Sequence, residues 1–163
     1  MKNIKTIIFL LLLTFTVQVK AADNPAIAHL IKAYLGIKDA LVNDNSKAAN
    51  AQAKQFTAAV AEVNSSALDA GQKAAWTKYA EKLRFNGEHI GESPSIDHQR
   101  EHFASLSDDM YAVVKALKPG SMVLYYDYCP MKKKYWLSQS KTIANPYYGA
   151  DMPDCGKVKE TIK

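Results

Sequence analysis

The sequence is poor in the features that announce an enzyme. It holds no HExxH pair, no glycine-rich phosphate loop and no recognisable Ser, His and Asp nucleophile arrangement. Cys129 is followed by Pro130, which is not a CxxC redox pair. These absences argue against hydrolytic, phosphoryl-transfer and thiol-redox chemistry. Asp97, Glu101, Asp108 and Asp109 run along one predicted helix, where acidic side chains are ordinarily just solvated. No internal repeat and no low-complexity tract occurs. Long apolar runs are missing too. Ile7 to Phe15 is an almost unbroken apolar stretch, far short of the roughly 18–20 residues that a permanent membrane helix needs. Strong charge is also absent. The formal net charge is +5, and Lys2, Lys5 and Lys20 lie in the first 21 residues, so the remainder is near +2. That is too mild to indicate nucleic acid. Lys132-Lys133-Lys134 reads as a solvated loop.

What is present begins with a processing pattern. Lys2 and Lys5 precede the apolar run, and Val19-Lys20-Ala21 offers small residues at the −3 and −1 positions of a signal peptidase site. Residues 1–21 are therefore expected to be a signal peptide. A periplasmic or secreted chain follows, without a stable membrane anchor. Residues 22–163 suit one domain.

Four helical segments are predicted next. The first covers about Pro25 to Asn43, with Ile27, Leu30, Ile31, Tyr34, Leu35, Leu41 and Val42 at helical spacing. The second covers about Lys47 to Asn64, alanine-rich, with Ser46 as its expected N-cap. The third covers about Leu68 to His89, with Gly87 and Gly91 expected to weaken its far end. The fourth covers about Ser95 to Lys118, and Pro119-Gly120 ends it. Short polar links between long helices favour an up-down four-helix bundle, hence a mainly α fold. Beyond it, Met122 to Tyr128 reads as an extended strand. The rest is expected to be loop-rich with one or two short strands in all, and Lys157 to Lys163 to fray.

The chemistry concentrates in residues 120–157. Both cysteines lie there, Cys129 and Cys155, each with a methionine nearby, Met131 and Met152. Copper(I) and silver(I) are soft ions that prefer thiolate and thioether sulfur, with imidazole a common further partner. Two Cys/Met pairs on one compact segment fit that preference. The methionines could equally fill core gaps. Two cysteines in an exported chain could equally form one disulfide, which would close a loop of about 26 residues and contribute roughly 3–4 kcal/mol in the chain-entropy view. His98 and His102 stand at i, i+4 on the fourth helix, a spacing that lets two imidazoles hold one ion. An exposed pair at that spacing is otherwise simply solvated. His89, near the end of the third helix, could reach the same end of the bundle. His29 reads as a surface residue.

Tyr128-Cys129-Pro130-Met131, Tyr135-Trp136-Leu137-Ser138, Asn145-Pro146-Tyr147-Tyr148-Gly149 and Met152-x-x-Cys155-Gly156 closely resemble the motifs of a bacterial periplasmic domain of unknown function. Lys38-Asp39-Ala40-Leu41-Val42 and Gln99-Arg100-x-x-Phe103-x-x-Leu106-Ser107 resemble its helical motifs. That family occurs alone and fused to membrane-fusion proteins of copper and silver efflux systems. The resemblance implies a helical domain that handles metal, with an efflux membrane-fusion protein or pump as partner. One departure stands out. Only Lys132 to Lys134 link Met131 to Tyr135, where the family carries a longer stretch with glycine or asparagine.

The sequence thus leads to a periplasmic Cu(I) or Ag(I) binding protein that sequesters copper or hands it to efflux. Its candidate metal ligands are Cys129, Met131, Met152, Cys155, His102 and His98. The alternative is a metal-free interaction module of an efflux assembly, stapled by a Cys129–Cys155 disulfide.

Overall fold

The computed structural model describes residues 24–118 and 120–163. The expected signal peptide, residues 1–21, and Pro119 lie outside the described residues.

Each helix starts where a short polar side chain can satisfy a free backbone N–H. α1 (Pro25–Val42) is capped by Asn24, which accepts from the Ala26 N–H at 3.1 Å, and Pro25 occupies its first turn. α2 (Ser46–Glu62) is capped by Asn45, not Ser46. The Asn45 Oδ1 accepts from the Ala48 N–H at 2.9 Å, and the Ser46 hydroxyl donates instead to the Pro94 carbonyl at 2.8 Å. α3 (Ala70–Glu92) opens with a capping box between Asp69 and Gln72. α4 (Ile96–Leu117) is capped by Ser95.

The far end of α3 does not weaken at its glycines. It runs on to Glu92, because Gly87 and Gly91 are buried where α3 meets α2. A Cβ at Gly87 would lie 2.9 Å from the Thr57 hydroxyl and 3.0 Å from the Phe56 ring. The lost helix propensity is exchanged for close approach of the two backbones.

Helices consecutive in sequence pack on one another, as an up-down bundle requires. Their apolar stripes form the core: Leu30, Ile31 and Leu41 from α1, Phe56 from α2, Leu83 and Ile90 from α3, Phe103 and Met110 from α4, all fully buried. Each such side chain contributes about 1.5–3 kcal/mol. α1 and α4 are bridged at their seam by Tyr34, whose hydroxyl lies 2.7 Å from the Ser107 hydroxyl and accepts the Leu137 N–H at 3.0 Å.

Leu137 belongs to a small antiparallel sheet of three strands, β1 (Leu124–Cys129), β2 (Lys134–Ser138) and β3 (Lys157–Ile162), in the order β2-β1-β3. β3 corrects the expectation that the last residues fray. It pairs along β1, Leu124 with Ile162 and Tyr128 with Lys157, and Ile162 is buried. A bulge between Tyr126 and Asp127 bends β1. β2 lies on α4 and reaches α1, so the sheet covers the α1–α4 seam. Trp136 and Leu137 drive this docking with fully buried side chains.

Candidate functional site

The sheet brings together two cysteines that lie 26 positions apart. Cys129 is the last residue of β1, opposite Lys134. Between them the chain turns through Pro130 to Lys133, and Lys133 takes the left-handed φ of 53°. This tight turn carries the Lys132 N–H back to the Cys129 sulfur at 3.5 Å. Cys155 arrives from the loop that precedes β3. Its N–H donates to the Met152 carbonyl at 3.3 Å, and its own carbonyl accepts from the Asn145 amide at 2.6 Å. Gly156 follows because a Cβ there would lie 2.8 Å from the Trp136 ring. The two sulfurs stand 3.5 Å apart, unbonded, with Cys129 buried and Cys155 half-buried.

The thiols are electrostatically unlike. Burial alone would raise the Cys129 thiol, but donors from the Lys132 N–H, the Asn145 side chain, the Cys155 thiol and the Met131 N–H outweigh it, and the net shift is downward. Cys155 is shifted upward, first by its hydrogen bond to Cys129, then by burial and by the charge on Cys129. The opposite shifts favour Cys129 as the thiol of the pair that ionises first. Thiolate is the form that binds soft metals and attacks disulfides. A metal ion bonded to two sulfurs at about 2.3 Å each spans at most about 4.6 Å, so this 3.5 Å pair can share one ion without backbone rearrangement.

The thioethers are less involved. Met131 sits on the β1–β2 turn with 67% of its surface exposed. It is followed by the three-residue link, Lys132 to Lys134, that departs from the family pattern. Met152 is half-buried, three residues before Cys155.

The histidines gather elsewhere, on the α3–α4 face. The ring centres of His98 and His102 lie 4.6 Å apart, those of His89 and His102 lie 4.5 Å apart, and those of His89 and His98 lie 6.5 Å apart. The α4 residues that face the hairpin are Asp97, Arg100, Glu101 and Ala104, which line a cleft of about 520 Å³ with Lys132, Lys134 and Tyr147. The sequence candidates therefore separate into a thiol pair at the hairpin and an imidazole group on α3 and α4. Among the described residues, no group of three or more His, Cys, Asp or Glu side chains is arranged to hold a metal ion as it stands. His29 is exposed and lies 2.8 Å from Glu62. A larger cleft of about 640 Å³ along α1 and α2 contains none of the candidate ligands.

Two further residues shape the site. Asn145, fully buried, stood in the sequence as part of the Asn145-Pro146-Tyr147-Tyr148-Gly149 motif, without a role of its own. Asp127 lies two residues before Cys129 on the same face of β1. It is fully buried, and neither of its carboxylate oxygens has a hydrogen-bond partner among the described residues. Burial pushes its carboxyl up to about 6, against the opposing pull of Lys38. The one signal for it was a lone acid within an aromatic strand.

A model of the family described as a protein of unknown function, DUF3347, matches residues 30–122, and the chain belongs to that family. The matched stretch covers most of α1 and all of α2, α3 and α4. It ends before β1, so His89, His98 and His102 fall within it and both cysteines fall beyond it. No curated protein and no solved structure matches the chain.

Proposed function

We propose that this protein binds a soft monovalent ion, Cu(I) or Ag(I), between Cys129 and Cys155, and serves to sequester copper or pass it to an efflux system. The observation that carries this reading is the convergence of the only two thiols in the chain to 3.5 Å, with Cys129 favoured as thiolate. Soft thiolate donors select Cu(I) over hard cations. Trp136, which lies against Gly156 next to Cys155, and Tyr147, which packs on Trp136, are buried and would limit water and oxidant near a bound ion. Met131, on the exposed turn, is suited to a passing contact with an incoming or leaving ion rather than to the resting site. The role is binding and transfer, not turnover.

The exported, periplasmic setting suggested by residues 1–21 would bring the chain to copper and to a membrane-fusion partner. The same 3.5 Å separation supports a second reading, in which the thiols oxidise to a disulfide and the domain acts as an interaction module. The two are tested together by counting free thiols in protein as isolated and after reduction, then measuring bound copper after Cu(I) loading. One copper per reduced chain, lost in Cys129→Ser and in Cys155→Ser, supports metal binding. A pair that stays bridged, or a reduced chain that takes up no copper, supports the module.

A further inference from the structure

We propose that His89, His98 and His102 form a second metal site, independent of the thiols, for a divalent ion of borderline softness such as Cu2+, Zn2+ or Ni2+. His98 and His102 lie one turn apart on α4. The short link 93–95 folds α3 back so that His89 joins them, its ring nearly parallel to that of His102 at 25°. The three rings crowd together, with the Glu101 carboxylate at the edge of the group beside His98.

The outer partners point the same way. The His89 Nδ1 lies 2.9 Å from the Phe85 carbonyl. A carbonyl can only accept, so Nδ1 carries the proton and the Nε2 lone pair is free. The His102 Nδ1 lies 3.0 Å from the Asn86 Oδ1. Asn86 is buried and donates its Nδ2 to the Lys82 carbonyl at 3.0 Å, so its oxygen faces the imidazole. His102 thus presents Nε2 as well. The His98 Nδ1 lies 3.7 Å from a Glu101 carboxylate oxygen. Ligating histidines are held as His89 and His102 are here, by an acceptor on the nitrogen that does not touch the metal, whereas Glu101 is too far from His98 for a hydrogen bond. A set of imidazole nitrogens without thiolate suits Zn2+, Cu2+ and Ni2+ rather than Cu(I).

In their present rotamers the three imidazoles do not form a metal-holding group, so metal binding requires the side chains to rotate inward. Metal–imidazole bonds of about 2.0–2.1 Å place ligand nitrogens roughly 3.3 Å apart in a tetrahedral site. The rings are wider than that now, but the His98 side chain is 45% exposed and free to turn. Phe85, 49% exposed, packs at 4.1 Å on His89 and at 5.9 Å on His102 and walls one side.

The test titrates Zn2+, Cu2+ and Ni2+ separately into the Cys129→Ser/Cys155→Ser variant, with binding heats and imidazole NMR signals as readouts. The expected result is one ion per chain, with the signals of His89, His98 and His102 shifted and that of His29 unmoved. His102→Gln should abolish those shifts, and Asn86→Ala should weaken binding about 10–100-fold, while His29→Gln leaves it unchanged. Equal affinity in the His89→Gln/His98→Gln/His102→Gln variant would overturn the proposal. So would ions that shift none of the three imidazoles. Because the thiols are absent from this background, failure here leaves the Cu(I) reading standing, and the reverse. If the serine variant does not fold, the same imidazole signals in the wild-type chain, compared with His102→Gln, decide the matter.

Discussion

Asn145 and Cys155 are joined by a 2.6 Å hydrogen bond from the Asn145 amide to the Cys155 carbonyl. The other end of the same side chain accepts the Tyr147 N–H at 2.8 Å, and Asn145 also lowers the Cys129 thiol. One buried amide therefore fixes the position of one cysteine and the ionisation of the other. Asn145→Ala leaves a buried N–H and a carbonyl without partners, at a cost of about 1–3 kcal/mol. It should also slow alkylation of Cys129 at neutral pH. Urea unfolding and iodoacetamide kinetics check the two effects separately.

Asp127 makes stability depend on pH in an unusual direction. Its folded carboxyl is raised to about 6, above the ordinary value near 3.9. Stability from the neutral carboxyl is fully present below the unfolded value and is lost as pH rises through about 6. Asp127→Asn should remove this loss. At pH 8 it is expected to be more stable than wild type by up to roughly 2–3 kcal/mol, with the gap closing toward pH 4. Denaturant midpoints at both pH values measure it.

Lys133 holds a left-handed φ of 53° in the turn between the cysteine strand and β2. That conformation costs a side-chain-bearing residue about 1–2 kcal/mol, partly offset by the greater flexibility of glycine, about 0.5–1 kcal/mol. Lys133→Gly should therefore raise stability by up to roughly 1 kcal/mol and leave Cu(I) binding unchanged. A thermal unfolding scan beside a Cu(I) titration shows both.

Arg100 clamps the loop that leads to Cys155. Its Nε donates to the Pro146 carbonyl at 2.8 Å, and its Nη2 donates to Asp44 at 2.5 Å and to the Leu41 carbonyl at 3.2 Å. Asp44 in turn accepts the Ala150 N–H at 2.8 Å. Lysine cannot reproduce this planar fork. Arg100→Lys should cost about 1–3 kcal/mol and speed hydrogen exchange at the Ala150 amide.

The helices were legible because their signals are local. Apolar residues recur at helical spacing, although the one cap named, Ser46, lies a residue beyond the true cap, Asn45. The glycines of α3 misled because their role is a contact with α2, which no local window contains. β3 was invisible for a similar reason: Lys157 to Ile162 is mostly exposed and gains its order from pairing with β1. The thiols could be singled out as the only two in the chain, and the hairpin supplies their meeting. The division between thiols and imidazoles was not legible, since it depends on which side of α4 faces the sheet. Asp127, and the role of Asn145 within its motif, escaped because a buried polar residue looks in sequence like any loop or strand polar residue.

The most direct measurement is X-ray absorption at the copper edge of reduced protein loaded with one equivalent of Cu(I). Two sulfur neighbours at roughly 2.3 Å, the usual metal–thiolate length, are expected, and their loss in Cys155→Ser. A first shell of imidazole nitrogens without sulfur, unchanged in that variant, would contradict the assignment of Cys129 and Cys155 as the copper ligands.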